Sequence, residues 1–186
     1  MAQTRQTVDL SFENAARARA LLDPLLDQDA ATKKYVDDRH LPFRVTTAAS
    51  STSTTYASVA ELTTGVLPVG HYIFRVYGLH QSTAGATGIG VRVGAGTATL
   101  GVTHAKWFFD QGIDGTGKNF QYGQTTPTTN TTSASVQTAN TDFTFTGQGY
   151  FNVTAQGTVA IQLRTETAGT AVSLRPGTVF LVEKIA

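Results

Sequence analysis

Phe143-Thr144-Phe145, Phe151-Asn152-Val153 and Val159-Ala160-Ile161-Gln162-Leu163-Arg164 carry their large apolar side chains at every second position. A β-strand points successive side chains to opposite faces, so this period predicts strands with one face buried. Val91-Arg92-Val93 repeats the pattern upstream. Turn-forming residues separate the alternating runs: Gly65, Pro68 to Gly70, Gly85, Gly94, Gly112, Gly147, Gly149, Gly157, Gly169 and Pro176-Gly177. Short strands with turn signals at this spacing favour a sandwich or jelly roll. No segment of residues 45–186 sustains a helical period. The expected fold is therefore mainly β, with an antiparallel β-sandwich (jelly roll) in the C-terminal part.

Two stretches break the alternation. His71-Tyr-Ile-Phe-Arg-Val-Tyr77 and Thr178-Val-Phe-Leu-Val182 are apolar at both parities. A strand of a two-layer sandwich shows one face to water, so a doubly apolar strand asks for a second cover. A long loop over a central strand is one such cover, and a subunit interface is the other. Thr125–Thr146 holds ten threonines and no Lys, Arg or Glu. It reads as a surface loop with little to bury or as Thr-rich strands on an exposed sheet, and it lies outside the core either way.

Charge divides the chain more sharply than it adds up. The net charge is +1, which gives no long-range attraction for nucleic acid or an acidic membrane. Yet residues 1–44 hold 14 of the 27 charged side chains, seven of each sign. That step predicts two parts: a charged arm, 1–44, and a head, 45–186. In the arm, Val8-Asp-Leu10-Ser-Phe12 suits a short strand. Asn14 is placed to cap a helical turn through Leu22, and Pro24 interrupts what precedes it. Asp27 or Asp29 can cap a second helix over Ala30–Val36, with Lys33 and Lys34 toward its end as the helix dipole favours. So short a helix is marginal alone in water. Leu21, Leu22, Leu25, Leu26, Tyr35 and Val36 are too many apolar groups for a solvated arm and need sister chains or a neighbouring protein. No apolar run approaches the ~20 residues of a membrane helix, so membrane insertion is not expected. Met1–Thr7 lacks the apolar core of a signal peptide, so synthesis in a cytoplasm is expected.

The run Asp29-Ala-Ala-Thr-Lys-Lys-Tyr-Val-Asp-Asp38 resembles the DAATKKYVD segment near the N-terminus of many tailed-bacteriophage fibre and minor tail proteins. Asn14-Ala-Ala-Arg17 and Asp23-Pro24 precede it much as they do there, although Arg17-Ala-Arg-Ala-Leu-Leu22 departs from the usual Arg-Ile-x-x-Leu. The ending Val172-Ser-Leu-Arg-Pro-Gly-Thr-Val-Phe-Leu-Val-Glu-Lys-Ile-Ala186 is similar to the last strands of the tumour-necrosis-factor-like jelly rolls on phage fibres. The resemblance implies a virion part made in the bacterial cytoplasm and built as a homotrimer whose apolar outer faces meet around a threefold axis. It implies an arm that docks to other virion proteins and a head that meets the host surface, with carbohydrate or protein as receptor. With it, Phe12, Leu21, Leu22, Leu25, Leu26, Tyr35, Val36, Phe180 and Val182 are the expected anchoring and trimer residues. The alternative is a capsid decoration or head-fibre protein, in which the same arm lies across the shell and the head studs or clamps it. The short chain leans toward that alternative and the fibre-type motif toward the tail.

Site chemistry is sparse. Gly112-Ile-Asp-Gly-Thr-Gly117-Lys118-Asn119 falls one residue short of a phosphate-binding loop, because Asn119 stands where a Ser or Thr would hold magnesium. Phe120-Gln-Tyr-Gly-Gln-Thr-Thr-Pro127 then reads as strand or turn, so the helix N-terminus that cradles phosphate is missing. Read as a calcium loop from Asp110, the stretch offers Asp114 and Gly115 but puts Gly112, Lys118 and Gln121 where ligands belong. His40, His71, His80 and His104 form no local chelate, and His71 and His80 stand at opposite parities of one strand. There is no cysteine, no Gly-x-Ser-x-Gly elbow and no evident pair of facing carboxylates. Asn130-Thr-Thr and Asn152-Val-Thr match glycosylation sequons, whose machinery a chain made in bacterial cytoplasm would not normally meet. No enzyme activity, cofactor or metal is expected. Trp107, Phe108, Phe109, Phe120, Tyr122 and Tyr150 flank the Gly-rich turns. Of these, Trp107 and Tyr122 are the candidates for surface binding, since an aromatic beside a polar loop gives contact area at little entropy cost.

Overall fold

The computed structural model describes residues 40–113, 117–124 and 138–185, with side chains described over 42–106 and 138–185. All of these belong to one compact unit, Asp38–Ala186. The arm residues Phe12 to Val36 lie outside the described residues. Eleven strands form the described fold, without a helix among them: β1 (His40–Arg44), β2 (Ala49–Ser51), β3 (Ala57–Thr63), β4 (Gly70–Ser82), β5 (Ile89–Ala95), β6 (Thr99–Ile113), β7 (Gly117–Gln124), β8 (Phe143–Ala155), β9 (Val159–Thr165), β10 (Val172–Leu174) and β11 (Val179–Lys184).

The strands make two antiparallel sheets packed as a sandwich. The large sheet runs β1-β11-β4-β8-β6-β7, with β10 bridging β2 to the far end of β4; the small sheet runs β3-β9-β5. The chain passes from large to small and back at β3, β5 and β9, a jelly-roll winding. The charge step drawn at residue 44 falls inside this head. His40–Arg44 is the edge strand of the large sheet, in register with Glu183 to Val179 of β11. Leu41-Pro42-Phe43 carries no charge, so the step marks the end of the charged run rather than the start of the fold.

Between the sheets the alternating side chains interlock. Tyr72, Phe74, Val76, Phe145, Phe151, Phe180 and Val182 come from the large sheet. Val59, Leu62, Ile89, Val91, Val93, Val159, Ile161 and Leu163 come from the small one. The aromatic rings form a connected set: Tyr72 stacks on Phe151 at 5.4 Å, and Phe74 meets Phe151 and Phe180 at 6.2 Å each. Edge-to-face and offset contacts at these distances add to the stabilisation from burial alone. Phe74 lies opposite Gly149 of β8, where a side chain would leave it no room.

β4 is the spine. Its residues 70–80 pair along one edge with β8, and its other edge is shared by β11 (at residues 72–77) and β10 (at residues 80–82). Between β10 and β11 the chain turns through Gly177, at φ 91°, a conformation that suits glycine. The turn seats Thr178 against Gly78 with its hydroxyl donating to the Arg175 carbonyl at 2.8 Å.

Candidate interaction surfaces

The pleat decides which side chains of the large sheet face away from the core. On β4 these are His71, Ile73, Arg75, Tyr77 and Leu79; on β11, Val179, Leu181 and Glu183. Phe180 and Val182, expected at a subunit interface, turn inward instead and are 0% and 2% exposed. The interface role cannot belong to them, because the head's own core already covers them. Leu181, between them in sequence, points the other way and is 37% exposed. Both apolar parities of Thr178–Val182 are thus accounted for, one by the core and one by an outer face.

Strand register arranges that outer face in rows. Pro42, Leu181, Arg75, Gln148 and Lys106 lie side by side across five strands. The next row holds Glu183, Ile73, Tyr150 and His104, and the row on the other side Arg44, Val179, Tyr77 and Thr146. A shallow depression of about 340 Å³ opens where Pro42, Ile73, Arg75, Leu181 and Glu183 meet. Its wall is apolar, with one cation and one anion at the rim. Tyr77, Val102 and Ile185 are further exposed apolar groups of the head. His71 stacks on Tyr150 with ring centroids 5.7 Å apart, and its Nδ1 meets the tyrosine hydroxyl. The two rings lie face to face, with 17° between their planes.

The histidines separate as their parity predicts: His71 is exposed, whereas His80 is fully buried beside Phe143 and Phe145. Among the described residues no three His, Asp or Glu come together as a metal site. The near-miss phosphate loop spans a hairpin, with Asp110 paired to Lys118 and Ile113 to Gly117, and a strand, not a helix, follows Gly117. Trp107 and Tyr122 lie on β6 and β7, opposite Gln121 and Lys106; their side chains fall outside the described residues.

No protein-family model and no curated protein sequence matches this chain. Solved structures give distant likenesses. One is the VP2 subviral particle of infectious bursal disease virus, at 12% identity and a TM-score of 0.20. Another is infectious bursal disease virus, Gx strain, at 11% identity and the same TM-score. Each match covers 79% of this chain and 36% of the other, so the chain spans about a third of the length of those proteins. Likenesses this remote carry no functional argument.

Proposed function

We propose that this chain is a structural protein of a tailed-bacteriophage virion, a homotrimer anchored by its N-terminal arm and presenting the sandwich as a host-attachment head. The observation that carries the reading is the fibre-type run Asp29–Asp38 standing directly before a jelly-roll head. The trimer part draws support from the outer face of the large sheet. Leu181, Val179, Ile73, Tyr77 and Pro42 form a contiguous apolar patch, and Arg75 and Glu183 offer opposite charges beside it. A second and a third copy can cover such a patch, each large side chain gaining about 1.5–3 kcal/mol if fully buried. Three heads on one axis present every loop three times to a cell surface. The reading involves no catalysis.

Two measurements test it. Sedimentation of the full chain should give three times the monomer mass, and Leu181→Glu should give a folded monomer. A monomeric wild type, or a trimer unmoved by Leu181→Glu, would overturn the interface. Antibody to residues 45–186, viewed on particles by electron microscopy, locates the protein. Label at the tail end supports attachment. Label over the capsid makes the chain a decoration protein, and particles lacking it should then adsorb normally yet lose their genomes on heating.

A further inference from the structure

The space between the sheets is apolar, with one exception that titrates near neutrality. Among the described residues, His80 is the one buried side chain that gains a charge on mild acidification, and it is 0% exposed. The other buried ionisable group, Tyr72, lies near the other end of β4, and burial raises its pKa away from that range.

The histidine occupies a corner of the large sheet. It pairs with Phe143 of β8 along one edge of β4 and with Leu174 of β10 along the other. Its ring lies 5.9 Å from that of Phe143 and 6.1 Å, edge-on, from that of Phe145. Across the core, the inward side chains of the small sheet at Ile89, Val91, Ile161, Leu163 and Thr165 carry no charge. Neither β2 nor β10 has a charged residue. Asp142 precedes Phe143 and Arg175 follows Leu174, but these two pair with each other at 3.1 Å and are 39% and 34% exposed. Their opposite fields oppose one another at the ring and are screened by water. Beyond β9, the Glu166 carboxylate accepts from the Gly88 amide at 2.8 Å. On β4 itself, His71 and Arg75 face the other side of the sheet.

Charging the ring in place would strip a cation of its water inside an apolar layer, a cost that disfavours the charged form. The unfolded chain meets no such cost and takes up a proton near the ordinary histidine value of about 6.5. Folding and protonation therefore oppose each other. The contribution of the neutral ring is intact above about pH 6.5 and declines as pH falls below it, because the opened chain binds the extra proton. Opening has a place to start. β2 and β10 are three residues each, and among the described strands β2 pairs with β10 alone. Leu174, fully buried, shares the face of His80, and the Arg175 amide donates to the Leu79 carbonyl at 2.9 Å. Lifting this short pair of strands would wet His80 while the long β4–β8 ladder stays paired, a local opening of the kind that precedes global unfolding.

We propose that His80 is an acid-sensitive latch, whose protonation releases the β2–β10 corner, so that the head is closed at neutral pH and opens there in mild acid. The latch belongs to a single head and stands apart from the virion reading.

The test uses the full-length protein at one concentration, unfolded by urea at steps between about pH 7.5 and 5, with His80→Phe and His80→Leu beside wild type. Relative to either variant, the wild-type unfolding constant should rise by nearly tenfold per pH unit below about 6.5, the slope of one proton. His71→Gln, at an exposed histidine, should keep the wild-type profile. Amide exchange, corrected for its intrinsic pH dependence, should quicken at Val172–Leu174 in wild type and not in the His80 variants, while amides around Phe74 and Phe151 stay protected. Should both variants fail to fold, nuclear magnetic resonance of the wild-type imidazole decides: the ring should stay neutral until the Val172–Leu174 amides open. Equal pH profiles in wild type and the His80 variants would overturn the proposal. So would a ring that titrates near 6.5 with β10 still protected, or loss of β4–β8 protection in step with β10. A monomeric chain would overturn the trimer reading and leave this result standing.

Discussion

Gly149 sits where β8 passes beneath the Phe74 ring, and its missing side chain is what lets β4, β8 and β6 close up. A Cβ there would collide with the His104 carbonyl oxygen and stand 2.8 Å from the Phe74 ring and 2.9 Å from the Ala105 Cα. Backbone cannot step aside as the tip of a flexible side chain can. Gly149→Ala should therefore cost about 1–3 kcal/mol or more in urea unfolding, as overpacked cores do. Gly65→Ala, with nothing within 4 Å of its added Cβ, should change stability little. Equal effects at the two positions would mean that the close packing around Phe74 is misread. The neighbours Phe180 and Leu181 make the same point in another currency. Phe180→Ala empties a core site and should cost about 3–5 kcal/mol. Leu181→Glu should cost less than about 1 kcal/mol in the isolated head, so its effect on assembly can be read separately.

Among the elements, those with clean alternation were legible and those shaped by neighbours were not. β8, β9 and the centre of β5 follow from period two alone, because their outer faces are polar or glycine. β4 and β11 could be found but not oriented. With Ile73 and Leu181 as apolar as Phe74 and Phe180, sequence offered no reason to choose which parity meets the core, and Phe180 and Val182, expected at an interface, lie in the core. β1 was hidden because three uncharged residues follow a charged run, and only pairing with β11 makes them a strand. The meeting of Arg92 and Arg164 at the Tyr56 ring, 4.3 and 5.0 Å from its centroid, was missed because its members are 36 and 72 residues apart along the chain (92 to 56 or to 164), and only the β3-β9-β5 order joins them. The one trace in sequence was Gly90 and Gly94 flanking Arg92. The loop after β1 is held by β3 through Glu61, whose carboxylate accepts from the Thr46 hydroxyl and amide and from the Thr47 amide. These bonds, led by the Thr46 hydroxyl, lower the Glu61 pKa below its ordinary 4.5. A depressed carboxylate stabilises the fold above its unfolded pKa and loses that contribution as pH falls through the folded value. Glu61→Gln should thus lower the melting temperature at pH 7, and the gap to wild type should shrink as pH falls below the ordinary 4.5 and through the lowered folded value. A gap unchanged down to pH 3 would show that the charge is irrelevant to the tie.

At the scale of the whole molecule, the two faces of the sandwich carry different chemistry. The outer face of the large sheet is apolar around Leu181, the surface on which the proposed trimer would close. The outer face of the small sheet is polar and holds Arg92 and Arg164 at the Tyr56 ring. Since the two are on opposite sides, a trimer closing on the first leaves three copies of the second facing outward. Separate arrangement predicts separable function. A host-cell surface should distinguish Leu181→Glu monomers from the proposed wild-type trimers: three linked heads gain effective concentration, and avidity of about 10²–10⁴ over one site is the usual range. Leu181→Glu should therefore lose most surface retention. If it left surface retention intact, a single head would suffice, and trimerisation would serve the anchor rather than the grip.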